Sequence, residues 1–345
     1  MIRSVIKKLL LKENLTEKEI MNVMNFIMEG NATQSEIGDF LTVLKFKGET
    51  AEEITGCAKV MREKAEKVKH NLPYCIDTCG TGGDGANTFN ISTAASLVAA
   101  AAGAKIAKHG NRAMSSRSGS ADVLEALGVN IILSPEQAGK CIEEVGIGFM
   151  FAQLFHKSMK YAASVRKELG IRTVFNLLGP LTNPADAKGQ IIGVFDGSLT
   201  TVMAETLQKL GTERALVVHG CDGLDEITTT APTKISELRN GIIKEYFLDA
   251  SEFGIPRAVP SDLSGGDAVF NAGIIRSVLA GEKGARRDIV LINAAAALYV
   301  AKVTDNLKEG MTIAAEMLDT GRAVSKLNEL REYTLALDKM GEVSA

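Results

Sequence analysis

At 345 residues, 46% hydrophobic and 23% charged, the chain has ordinary globular composition and enough length for two domains or one large one. A net charge of −3 with 5% aromatic residues supplies neither a basic groove nor stacking platforms, so nucleic acid and an anionic membrane surface are excluded as expected partners. No apolar run approaches the roughly 20 residues of a membrane span, the first twelve residues lack a signal-peptide core, and five scattered cysteines without a Cys-x-x-Cys pair fit a reducing cytoplasm, with neither disulfides nor zinc expected.

The first seventy residues read as helices only. Thr16-x-x-Glu19, Thr33-x-x-Glu36 and Thr50-x-x-Glu53 are three capping boxes, each opening an apolar helical pattern. Ile20, Val23, Met24 and Ile27 share one face, as do Ile37, Leu41 and Leu44, and then Ile54, Cys57 and Met61. Gly30 and Gly48 stop the first two of these helices. From Tyr74 the pattern changes to short apolar runs alternating with helices. Strands are expected at Tyr74–Thr78, Lys105–His109, Ile147–Phe151, Gln190–Val194, Ala215–His219 and Lys244–Leu248. Helices are expected at Ser92–Ala102, Ala121–Leu127, Pro135–Val145 and Leu199–Leu210. Strands spaced by helices imply a mostly parallel sheet covered on both faces, with ligands bound beyond the carboxyl ends of the strands.

Lys157–Leu169, closed by Gly170, is a further helical pattern that can rejoin the N-terminal helices in space. The tail from Asp267 to about Leu337 is helical again, with Ile289–Ala301 expected to be fully buried and Met311–Leu330 amphipathic. The expected fold is therefore α/β. A small, discontinuous helical domain (1–70, joined by about 157–184) accompanies a larger domain (71–345) whose mostly parallel central sheet is flanked by helices.

Asp77-Thr78-Cys79-Gly80-Thr81-Gly82-Gly83-Asp84-Gly85 follows the first expected strand and leads into Asn90-Ile91-Ser92-Thr93, where a helix begins. Strand, glycine loop and helix N-terminus in that order form an anion-binding device, because backbone N–H groups converge on the ligand and the helix start adds unpaired donors. A Walker A loop would end in Gly-Lys-Ser/Thr, whereas Asp84-Gly85-Ala86 stands there. Gly80, Gly82 and Gly85 match Gly-x-Gly-x-x-Gly literally, but that fingerprint needs an acidic residue after the next strand. The chain instead reads Lys108-His109-Gly110-Asn111-Arg112, and a cationic strand end suits a second phosphate better than a ribose diol.

Lys108 to Ser120 adds Lys and Arg charges, the hydroxyls of Ser115, Ser116 and Ser118, and Gly119-Ser120 opening a helix. Asp222-Gly223-Leu224-Asp225-Glu226 ends another strand. Its adjacent carboxylates read either as a magnesium site facing phosphates, with Asp84 and Ser92 as further oxygen donors, or as a plain acidic turn. Arg166 reads either as a solvated or salt-bridged helix residue or as a bidentate clamp on a carboxylate. The stretch Leu178-Gly179-Pro180-Leu181-Thr182-Asn183-Pro184 is a rigid turn able to close one side of a cleft.

Gly80-Thr81-Gly82-Gly83-Asp84, Thr88-Phe89-Asn90-Ile91-Ser92-Thr93, Lys108-His109-Gly110-Asn111-Arg112 and Asp222-Gly223-Leu224-Asp225-Glu226 together resemble the signature set of the anthranilate phosphoribosyltransferases. The match runs the length of the chain, in the family's order and spacing, and the KHGNR run is its most specific piece. Pyrimidine nucleoside phosphorylases share the fold and a similar glycine loop but differ in the second loop. A phosphorylase, or a non-catalytic phosphoribosyl- or nucleic-acid-binding relative, is the alternative reading.

The resemblance implies transfer of the phosphoribosyl group of phosphoribosyl pyrophosphate (PRPP) to the amine of anthranilate, in tryptophan biosynthesis. It implies that Gly80, Gly83, Asp84, Thr88, Asn90, Ile91, Ser92 and Thr93 hold PRPP. Lys108, His109, Gly110, Asn111, Arg112, Ala113, Met114, Ser115, Ser116 and Ser120 would complete that site. Gly80, Asn111 and Arg166 would bind anthranilate, with Arg166 facing its carboxylate and His109 lining the pocket. Ser92, Asp225 and Glu226 would bind Mg2+. No covalent nucleophile is expected; Lys108 and His109 are the electrostatic and pocket candidates. The resemblance also implies a homodimer built on the N-terminal helices, and it leaves association with anthranilate synthase open.

Overall fold

The computed structural model describes residues 1–113 and 117–343, with side chains as far as residue 337. Met114, Ser115 and Ser116 of the expected PRPP site lie outside the described residues. Four helices come first: α1 (Ile2–Leu10), α2 (Glu17–Met28), α3 (Gln34–Lys47) and α4 (Ala51–Lys64). All three expected capping boxes form, at Thr16, Thr33 and Thr50, and each cap contributes roughly 1 kcal/mol by satisfying amides that have no intrahelical partner.

The α/β part follows as β1 (Ile76–Gly80), α5 (Ile91–Ala101), β2 (Ile106–Gly110), α6 (Ser120–Ala126), α7 (Pro135–Lys140), β3 (Ile147–Phe151), α8 (Ala152–Phe155), α9 (Lys160–Leu169), α10 (Phe175–Leu181), β4 (Gly189–Gly193), α11 (Leu199–Lys209), β5 (Arg214–Gly220), β6 (Thr233–Arg239) and β7 (Ile242–Leu248). Four more helices close the chain: α12 (Ala268–Leu279), α13 (Ala285–Val300), α14 (Leu307–Asp319) and α15 (Arg322–Val343). Among the described residues the strands form one seven-stranded sheet in the order β3-β2-β1-β4-β5-β6-β7. The first five are parallel, and β6 and β7 add an antiparallel ribbon at one edge.

Both faces of the sheet are covered, and side-chain alternation divides the core in two. Ile191, Leu216 and Val218 face α5, α12 and α13. Ile192, Ala215 and Val217 face the other way, onto α11 and the helical domain. That second core also takes in Ala162 and Val165 of α9 and Leu177, Leu178 and Leu181 of α10, so the chain returns to the N-terminal helices after β3.

Four expectations are corrected. The stretch Leu178-Gly179-Pro180-Leu181-Thr182-Asn183-Pro184, expected as a rigid turn, is the end of α10 as far as Leu181. β6 has no counterpart among the expected strands. The expected helix Met311–Leu330 is two helices, broken at Gly321, whose φ is 74°. Pro135–Val145 changes from α-helix to a π-turn at Cys141. The order of the sheet also locates the ligand crevice. From β1 the chain crosses to β2 on one side, while β4 lies on the other, so the strand order reverses between β1 and β4. In open α/β sheets the crevice at that reversal, beyond the carboxyl ends of the strands, is where ligands bind.

Candidate active site

The glycine loop leaves β1 at this reversal and turns back over β4: Thr81 N–H donates to the Gly193 carbonyl at 2.8 Å. Gly82 and Gly83 hold φ of 64° and 79°, in the left-handed region that favours glycine. The acidic turn after β5 arrives between the two strand ends. A Cβ on Gly193 would strike the Asp225 carbonyl, and one on Gly80 would strike the Asp225 carboxylate, so both strands end in glycine where that turn docks. Asp225 Oδ2 accepts from Gly82 N–H at 2.8 Å, and Glu226 Oε1 accepts from Ser92 N–H, in the first turn of α5, at 3.1 Å. Asn293 of α13 grips the next residue from below, donating to the Ile227 carbonyl at 2.8 Å and accepting from its N–H at 3.1 Å.

Burial pushes the Glu226 carboxyl up to about 7. Burial, with the charges of Asp84 and Glu226 beside it, pushes Asp225 up as well. Lys108 is 3% exposed and donates to the Thr78 carbonyl, to Thr78 Oγ1 at 3.3 Å and to Ser92 Oγ at 3.5 Å. Burial lowers its pKa, and the charge of buried Asp77 opposes that shift. Asp77 itself accepts from His109 N–H at 3.2 Å and from the Asn183 amide at 2.8 Å.

One residue further along β2, the side chain points to the opposite face, as strand geometry requires. His109 donates its Nδ1 proton to the Gly179 carbonyl of α10 at 3.2 Å and lies 5.0 Å, ring centre to ring centre, from His156. Burial first and His156 second lower the His109 pKa to about 3, and burial lowers that of His156 to about 4. Both rings are neutral at pH 7. The Nε2 atoms of both, and Thr173 Oγ1, are buried without a hydrogen-bond partner among the described residues.

Arg166 sits on α9 with its guanidinium 5.3 Å from the ring centre of Phe175 on α10, and no ion-pair or hydrogen-bond partner among the described residues. Among the described residues it has no hydrogen bond or ion pair to either loop; α10 links it to His109. Asn111 Oδ1 accepts from Arg112 N–H at 2.8 Å and from Gln153 at 3.4 Å. Arg112 is exposed, and it turns away from the glycine loop to pair with Asp122 and Glu125. Thr88 bridges Ser264, Asp84 Oδ1 accepts from Ala86 N–H, and Ser120 Oγ donates to the Asn111 carbonyl at 3.4 Å. Ala113 N–H is held by Asp122, and a Cβ on Gly110 would strike the Ser120 hydroxyl.

The oxygen set at Ser92, Asp225 and Glu226 fits magnesium on its chemistry. Two adjacent carboxylates are held against Gly82 and Ser92, and burial disfavours their charges, so a cation there would relieve that cost. Magnesium favours such partial sets, in which phosphate oxygens and water fill the remaining positions.

Residues 3–65 match the helical bundle domain, and residues 72–324 the a/b domain, of a glycosyl transferase family. The chain is 59% identical over 344 residues to the anthranilate phosphoribosyltransferase of Acetivibrio thermocellus, covering all of both chains. The chain belongs to the anthranilate phosphoribosyltransferase family. Its fold superposes on the Thermus thermophilus anthranilate phosphoribosyltransferase with a TM-score of 0.90 at 44% identity, covering 95% of this chain and 98% of that one. The Saccharomyces cerevisiae anthranilate phosphoribosyltransferase in complex with PRPP and Mg gives 0.89 at 30% identity, covering 97% and 98%.

Four residues without an assigned role in the sequence stand at this site of an anthranilate phosphoribosyltransferase. Arg172 donates to the Gly83 carbonyl and stacks 4.0 Å from the ring centre of Phe195, so it straps the glycine loop to the end of β4. Asn183 ties Asp77 to the Ala107 carbonyl, which fixes β1 to β2 beneath Lys108. His156 and Asn293 lie far along the chain from the groups they meet, and no local pattern marks them.

Proposed function

We propose that this chain transfers the phosphoribosyl group of PRPP to the amine of anthranilate, releasing pyrophosphate, as a step of tryptophan biosynthesis. One observation carries the reading: at the end of β2, successive residues serve two different chambers. Lys108 turns to the glycine loop, Ser92 and the acidic turn, and His109 turns to a neutral pocket under α10.

The C1′–oxygen bond breaks with its electron pair leaving on pyrophosphate, while positive charge grows on the ribose. Buried Lys108 and the backbone donors that the glycine loop and the first turn of α5 leave unpaired stabilise the departing charge, because they stand in place before it develops. Magnesium at Ser92, Asp225 and Glu226 would neutralise pyrophosphate oxygens when bound. Anthranilate's aromatic amine is uncharged at pH 7 and its lone pair forms the new C1′–N bond. The extra proton on that nitrogen, acidic on an aryl ammonium, passes to the departing pyrophosphate or to water, so no strong base is needed. Arg166 suits the carboxylate, and His109, with Nδ1–H committed to Gly179, presents an uncharged Nε2 to the pocket. Holding amine and C1′ together supplies a further part of the rate, of the order of several kcal/mol. Leu10, Leu11 and Phe46 stay exposed on the helical domain and suit the family's homodimer contact, and five free cysteines suit a cytoplasmic setting.

The test is loss of anthranilate fluorescence on mixing the protein with PRPP, Mg2+ and anthranilate. The decay is expected only when all three are present. Steady fluorescence, with phosphate-dependent cleavage of a pyrimidine nucleoside instead, would assign the chain to the phosphorylases.

A further inference from the structure

We propose that Asn271 is a positioning residue that holds Asn90 away from Thr93 N–H and so keeps that amide, in the first turn of α5, open for a phosphate of PRPP. The proposal rests on the phosphate-site reading above. Asn271 lies in the first turn of α12, is 1% exposed, and belongs to none of the substrate motifs.

Its Oδ1 accepts from Gly266 N–H at 2.8 Å and its Nδ2 donates to Asn90 Oδ1 at 3.0 Å. Asn90 Nδ2 in turn donates to the Ser118 carbonyl at 3.0 Å. The polarity of this relay is fixed at both ends, because a backbone N–H can only donate and a carbonyl can only accept. Neither amide can therefore flip. The chain of three bonds joins the loop before α12, the first phosphate loop and the second.

Asn90 is the N-cap residue of α5, and asparagine is among the strongest capping residues. Ile91 N–H already donates to the Phe89 carbonyl at 2.8 Å and Ser92 N–H to Glu226, so the amide left for its Oδ1 is Thr93 N–H, three residues on, the position that Asn306 caps by accepting from Glu309 N–H at 2.9 Å. Here no side-chain cap forms. The oxygen that would make it is turned instead to the Asn271 amide. Thr93 Oγ1, on the same turn of α5, is also buried without a partner among the described residues. A cap from Asn90 and a phosphate of PRPP would use the same Thr93 amide, so Asn271 decides between them.

The experiment measures PRPP binding by calorimetry, in Mg2+, on the full-length protein and on Asn271→Ala, Asn271→Asp, Asn90→Ala and the Asn90→Ala/Asn271→Ala pair. Asn271→Ala frees the Asn90 oxygen to cap α5 and should weaken PRPP binding about tenfold, with the KM for anthranilate unchanged. In the Asn90→Ala background there is no side chain to swing back, and the same change should matter by less than about twofold. Asn271→Asp keeps the volume and the Gly266 bond but cannot donate to Asn90. It should repeat the tenfold loss, which keeps the test alive if the alanine variant does not fold. Equal losses with and without the Asn90 side chain would reduce Asn271 to a structural residue and overturn the proposal. PRPP binding left unchanged by Lys108→Met would remove the phosphate-site reading itself, and the proposal with it.

Discussion

On the phosphate side of the cleft, the charged groups are tied to the protein already: Lys108 to Thr78 and Ser92, Asp225 to Gly82, Glu226 to the start of α5. On the acceptor side the pattern is the reverse. Arg166 has no ion-pair partner, and the Nε2 atoms of His109 and His156 and the hydroxyl of Thr173 have no hydrogen bond among the described residues. Each region combines buried groups (Lys108 on one side, His109, His156 and Thr173 on the other) with half-buried ones (Asp225 and Glu226, Arg166), so the contrast is not one of exposure. A highly charged ligand needs donors and charges fixed in advance, because reorganising them during the reaction would cost what they are meant to supply. A small aromatic acid needs a dry, neutral pocket with one strong anchor, and its own polar atoms satisfy what the pocket leaves unpaired.

The sharpest way to break this contrast is to discharge the phosphate side. Asp225→Asn with Glu226→Gln should lower kcat/KM for PRPP by about 10^3-fold and remove most of the response to added Mg2+. The same change should raise the melting temperature of the metal-free protein at pH 8. Both carboxyls are pushed up by burial, so a folded-state pKa above the unfolded value means stability is lost as pH rises through about 7 for Glu226. A double variant that responds to magnesium like its parent would refute the metal assignment.

The anchor on the acceptor side should give a smaller and more selective effect. Arg166→Ala is expected to raise the KM for anthranilate by about 10- to 100-fold, the worth of a charge-assisted hydrogen bond to a carboxylate. The KM for PRPP should stay within about twofold, because α10 and not the glycine loop lies between Arg166 and the phosphates. Equal increases for both substrates would mean that the two chambers are not separate.

Much of this was legible in the chain because the signals are local. A capping box is complete within four residues, and a strand, glycine loop and helix start lie within twenty, so β1, β2 and the loops after them were expected within two residues of where they lie. β6 was not, because Ile235 and Leu238 are three apart and break the two-residue alternation that marks a half-buried strand. It is a strand because seven of its residues pair with β5 and seven with β7. The acceptor pocket was hidden for the same reason. His109 stood in a motif, whereas His156 follows the short helix α8 with no pattern around it, and the β2–β3 pairing brings the rings together. Asn293 acts on backbone, and Asn271 on a side chain, contributed by distant segments, which a single sequence does not mark.

The subtlest prediction concerns the neutrality of that pocket. A free imidazole titrates near 6.5, whereas burial lowers His156 to about 4 and His109 to about 3. Between about pH 4 and 6.5 the unfolded chain then binds more protons than the folded one, so the stability from these rings is complete above 6.5 and drains away on acidification. Glu226 opposes this in the same window, since its folded pKa lies near 7 and protonation favours the folded state. The slope of the parent protein alone is therefore blunted, and the informative quantity is a difference between parent and variant. His156→Gln keeps a polar side chain of similar size and removes one titrating ring. Urea unfolding at pH 7.5, 6 and 5 should show the parent losing stability relative to this variant by up to ~1.4 kcal/mol per pH unit below 6.5. A difference that does not move with pH would mean that His156 carries its proton into the folded state, and a charged ring 5.0 Å from His109 would end the distinction between a charged chamber and a neutral one.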